Sequence, residues 1–311
     1  IIDDNKNTGA DLNATQSATN SLLDNIKTNL ETAINDVDFS WSVEFGHIDN
    51  LNKNIESSLN LVKIGKVFDI CVKGDSTLSP SKIILNKDIK AMISTIIDSY
   101  KISDSTNNMQ TAMNKFFNTL NGNIGNVPNS LTSESSFSWE KELGHIENLK
   151  NNQGTMESID IFDENAKTDT LGKMFDSIAY NYSPNESKNS ELISKNMINT
   201  LISDMLDASK SKLDISDEAV KLKVIGVIDN IKKNIEEINN SSSYDYSNAT
   251  CGDGESTMQF SWANELKWYN FVVLKIQLNN AEALNELKTE NVPSKCVTIK
   301  DANIDDATKS A

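Results

Sequence analysis

The sequence contains no arginine; all 29 of its basic residues are lysine. Against them stand 45 Asp and Glu, giving a net charge of −16. Without arginine the chain lacks the planar fork that grips carboxylates, phosphates and guanine edges. Its acid excess repels phosphate backbones and anionic membrane surfaces. Nucleic acid is therefore excluded as a partner. Proline and glycine are scarce, at 4 and 12 residues. An all-β sandwich needs more turn chemistry than that, so long helices are favoured. No apolar run approaches the roughly 20 residues that cross a bilayer, so no membrane span is expected. There are three cysteines, Cys71, Cys251 and Cys296. An odd, scattered set is no disulfide framework, and no Cys-x-x-Cys pair suggests zinc. The sequence also lacks a Gly-x-Ser-x-Gly elbow, a P-loop and a Gly-x-Gly-x-x-Gly turn. An enzyme is not expected.

What is present is repetition. Asp38 begins DFSWSVEFGHIDNLNKN, Ser136 begins SFSWEKELGHIENLKNN, and Gln259 begins QFSWANELKWYNFVVLK. Phe39, Phe137 and Phe260 align, as do Trp41, Trp139 and Trp262. Ser40, Ser138 and Ser261 lie between them, and Glu44, Glu142 and Glu265 follow three residues after the tryptophans. The chain therefore reads as three divergent units of roughly 100 residues, bounded as 1–103, 104–213 and 214–311.

Each copy predicts a helix start. The serine suits the cap position, where a hydroxyl accepts from free backbone amides, and a glutamate suits the positive end of the helix dipole. In the first copy the expected apolar stripe runs Trp41, Phe45, Ile48, Leu51, Ile55 and Leu59. A second stripe precedes each copy: Leu23, Ile26, Leu30, Ile34 and Val37; then Met109, Met113, Phe116, Phe117 and Leu120; then Val220 through Ile238. Each unit is thus expected to be a helical hairpin, with Phe-Ser-Trp packed as an aromatic clamp at the turn. Short strands are predicted at Val67–Val72, Ser158–Phe162 and Lys295–Ile299. Extra helices are expected over 89–100, 171–180 and 192–206. The predicted fold class is mainly α, three divergent repeats of a helical hairpin, each followed by a short β-strand segment.

One constellation suggests metal chemistry. Glu44 and His47, and Glu142 and His145, are two Glu-x-x-His pairs, the spacing used by di-metal carboxylate bundles. Each pair encloses a glycine, and the third copy has Trp268 in place of the histidine. Asp301, Asn303 and Asp305 alternate like a calcium loop but lack its glycine and closing Glu. The expectation is no bound cofactor, with calcium at low affinity on the acidic surface.

The acidic helical hairpins with Phe-Ser-Trp corners, the few cysteines and a start at Ile1 resemble the trichocyst and mucocyst matrix proteins of ciliates. The resemblance implies proteolytic maturation, secretion and calcium-responsive crystallisation in granules. The sequence-based expectation is a secreted, processed structural protein that assembles with itself or with paralogous chains into a filament, lattice or granule matrix. The alternative is a surface adhesin or binding module from an AT-rich microbe. A bundle metalloenzyme comes third.

Overall fold

In the computed structural model the described residues are 2–3, 6–8, 12–55, 60–102, 108–158, 168–179 and 190–211, with scattered positions between 213 and 232, and Trp262, Ala263 and Leu266. Asn13 opens the first helix with a reciprocal cap: its side chain accepts from the Gln16 amide, and the Gln16 side chain accepts from the Asn13 amide. This helix, α1 (Ala14–Ala33), buries Ala18, Leu22, Leu23 and Ile26. It ends short of expectation, leaving Ile34 and Val37 exposed. Next come α2 (Trp41–Asn54), α3 (Leu61–Lys73) and α4 (Asn86–Asp98). After them follow α5 (Asn108–Asn126), α6 (Trp139–Asn151), the short α7 (Gln153–Ser158), α8 (Thr168–Ala179) and α9 (Lys195–Lys210).

The chain is mainly helical, and among the described residues there is no strand. Val67–Val72, expected as a strand, lies inside α3. Six apolar-rich residues cannot distinguish a strand from a buried helix turn. The wider window decides it: Leu61, Ile64, Val67, Phe68 and Cys71 recur at helical spacing and are all buried. Asn60 caps the start by accepting from the Lys63 amide, and Gly74 ends the helix at φ 72°, a backbone conformation natural to glycine. Of the second predicted strand, Ser158 is the last residue of α7; Ile159–Phe162 and the whole of Lys295–Ile299 lie outside the described residues.

The hairpin expectation also changes. α1 packs chiefly on α4, and α2 packs on α3. The most extensive packing joins α3 to α6. The expected extra helices correspond to α4, α8 and α9, shifted by a few residues. The structure divides into two units. The first comprises residues 1–103, 114–151 and 190–193; the second comprises 104–113, 152–189 and 194–311. The first unit's core gathers Leu22, Ile26, Ile64, Phe68, Ile93, Phe117 and Trp139. In the second, Leu171, Phe175, Leu201, Ile202 and Trp262 are buried.

Candidate functional site

The Phe-Ser-Trp corners turn on a feature of α3 and α8. Both helices carry the string Gly-Lys-x-Phe-Asp, as Gly65–Asp69 and as Gly172–Asp176. Glycine and aspartate four residues apart share one helix face. In the first unit that face receives the second corner. Asp69 accepts from the Ser138 hydroxyl at 2.7 Å, the Trp139 amide at 2.9 Å and the Glu140 amide at 3.0 Å. A carboxylate from one helix thus caps the positive N-terminus of another, bonding two of its free amides. Gly65 is what lets the two backbones meet. A Cβ there would lie 2.6 Å from the Trp139 carbonyl oxygen and 2.7 Å from the Glu140 Cα.

Trp139 is fully buried, and its indole N–H donates to the Asn86 side-chain oxygen at 2.7 Å. Phe137 meets it edge-on at 4.9 Å. Lys73 donates to the carbonyls of Ser135 and Phe137, fixing the approach to the corner.

The second unit repeats the arrangement with the third corner. Asp176 accepts from the Trp262 amide at 2.6 Å and the Ala263 amide at 3.2 Å. A Cβ on Gly172 would lie 2.2 Å from the Ala263 Cα. Trp262 is 1 % exposed and Leu266 is buried. Phe260 lies outside the described residues.

The first corner differs. Trp41 is 45 % exposed, and Phe45, one turn on, is 47 % exposed. Trp139 and Trp262, the counterparts of Trp41, and Leu143 and Leu266, those of Phe45, are all buried. Of the expected stripe, Ile48 and Leu51 lie on the buried face of α2, together with Glu44 and His47, while Trp41 and Phe45 lie off it. Ser40 makes no side-chain cap bond. Yet Phe39 and Trp41 keep the edge-on pairing of the second corner, at 5.0 Å and 89° against 4.9 Å and 86°.

The Glu-x-x-His residues serve a second repeated device. Glu44 accepts from the Ser81 hydroxyl at 2.6 Å and the Lys82 amide at 2.8 Å. Glu142 accepts from the Ser190 hydroxyl, the Glu191 amide at 2.8 Å and the Leu192 amide at 3.3 Å. Each serine in turn accepts from amides two and three residues ahead. Both glutamates therefore anchor the turn that leads into the next helix, α4 or α9. His47 is buried with Nε2 2.8 Å from the Ser79 carbonyl, while Nδ1 has no hydrogen-bond partner among the described residues. His145 is half-buried. Among the described residues no group of three or more His, Cys, Asp and Glu is placed to hold a metal ion. Asp301, Asn303 and Asp305 lie outside the described residues.

Cys71 is a buried free thiol, which burial pushes well above the ordinary thiol range. No described helix is long and apolar enough to cross a membrane. Searches of protein-family models, curated proteins and solved structures return no match to this chain.

The aromatic motif is plain in the sequence, whereas its receptor lies far from it along the chain. The signal for the receptor was a second self-alignment, Gly65–Asp69 on Gly172–Asp176.

Proposed function

We propose that the chain is a structural protein that assembles with itself or with related chains, and that each of its units is built by setting a Phe-Ser-Trp corner on a Gly-Lys-x-Phe-Asp helix. The observation that carries this reading is the use of that joint twice within one chain. Units that pack on a neighbour in the same chain are suited to pack on one from another. The acidic surface adds control. At net charge −16, copies repel at low ionic strength, and divalent cations relieve the repulsion. Secretion, proteolytic maturation and packing into a granule matrix or filament belong to the same proposal.

The test is light scattering and electron microscopy of the purified chain over a range of protein and calcium concentrations. Assembly that grows with both is expected. A monomer throughout would overturn self-assembly and favour a binding module, for which the exposed Trp41 and Phe45 provide an apolar contact surface.

A further inference from the structure

We infer that the open corner, Phe39-Ser40-Trp41 with Phe45, docks onto an unoccupied Gly-Lys-x-Phe-Asp helix supplied by a different polypeptide; this deepens the assembly reading and rests on it. Three observations converge on this corner. Among the described residues, four of the six exposed large apolar side chains lie between Ile34 and Phe45. The aromatic pair is already held in the geometry of the docked second corner. And α2 begins without the side-chain cap that Asp69 provides to α6 and Asp176 to the helical turn at Trp262.

The chemistry of the partner follows from the two filled joints. It needs a glycine, because the corner backbone comes within Cβ distance of the helix at both Gly65 and Gly172. It needs an aspartate four residues later, to accept the amides of Trp41 and Ser42 as Asp69 accepts those of Trp139 and Glu140. A second copy of this chain does not offer such a helix. The string occurs twice in the sequence, and both helices are covered by their own corners, with Trp139 and Trp262 buried. The helix that fits lies outside these 311 residues, and the partner we infer is a related polypeptide whose helix is open.

The probe is a labelled peptide of residues 60–74 with Cys71 replaced by serine. A covalent staple between positions 63 and 66 holds it helical, as circular dichroism verifies before use. Lys63 and Lys66 are both exposed while α3 is docked, so the staple faces away from the joint. Fluorescence anisotropy with the full chain should show saturable binding. Trp41→Ala in the chain should weaken it about tenfold or more, as for a central aromatic anchor. Asp69→Asn in the peptide should weaken it about tenfold through loss of a charged acceptor. Gly65→Leu in the peptide should abolish it. Trp41 lies on the surface, so its replacement leaves the fold intact.

A helical peptide that does not bind, or binds the Trp41→Ala chain equally well, overturns the inference. So does self-association of the chain that Trp41→Ala abolishes while the peptide fails to bind, since the partner would then be a second copy. Peptide binding by a chain that never assembles would sink the lattice reading and leave this one standing. Assembly of a chain that ignores the peptide would do the reverse.

Discussion

Asp69 shows how one side chain converts a helix face into a receptor. Its carboxylate serves three donors at once, from the hydroxyl and amides of residues 138–140. Replacement by Ala should cost about 2–3 kcal/mol, the sum of a lost cap and partly buried amides left unpaired. Urea unfolding measures this, and a cost below about 0.5 kcal/mol would show that the contact is not an anchor. Tyr100 offers a check on burial by titration. It is buried against Phe117, with the Lys150 ammonium 4.4 Å above its ring. Burial, helped by the nearby Glu147 charge, pushes its phenol from 10.0 up to about 12. The folded pKa is the higher one, so the stabilising contribution is complete below pH 10 and is lost as pH rises towards 12. Alkaline unfolding should begin in that window, and Tyr100→Phe should blunt the loss. At this scale the sequence exposed the aromatic residues but hid the acids. Glu44 and Glu142 stand where helix-dipole partners or metal ligands would stand. Their actual partners, Ser81 and Ser190, lie 37 and 48 residues away.

Among the helices, α1, α5 and α9 were legible because their apolar residues recur over three or more turns. α3 was not, because Val67–Val72 alone has the apolar density of a strand, and the helical period shows only over the longer window from the Asn60 cap and Leu61. Position in the fold, not residue type, also decides what each glycine does. Gly65 faces the backbone of α6, and its Cβ would meet main-chain atoms that cannot yield. Gly65→Ala should therefore cost about 1–3 kcal/mol as overpacking. Gly122 sits in α5 with open space around it. Gly122→Ala should stabilise by about 0.5–1 kcal/mol, since alanine loses less backbone freedom in a helix. Thermal melts of the two variants should move in opposite directions. Equal shifts would mean that α3 and α6 do not approach as closely as the joint requires.

At the scale of the molecule, identical corners have unlike fates. The sequence aligns Trp41, Trp139 and Trp262 as equivalents, with Phe45 in the first copy standing where the others carry leucine. In both docked corners the receptor helix comes earlier in the chain: Asp69 lies 70 residues before Trp139, and Asp176 lies 86 before Trp262. Within the 311 residues no Gly-Lys-x-Phe-Asp string precedes Trp41. Burial of a repeat element is thus a property of its neighbour, which a window of local periodicity cannot report. The acidity takes on a sharper role in the same light: the apolar joint sets which surfaces meet, and charge sets when they meet. The most direct measurement of this account is the unfolding free energy of three single variants, Trp41→Ala, Trp139→Ala and Trp262→Ala. Docked corners predict losses of about 3–5 kcal/mol for Trp139 and Trp262, and less than about 0.5 kcal/mol for Trp41. Similar losses at all three positions would contradict it.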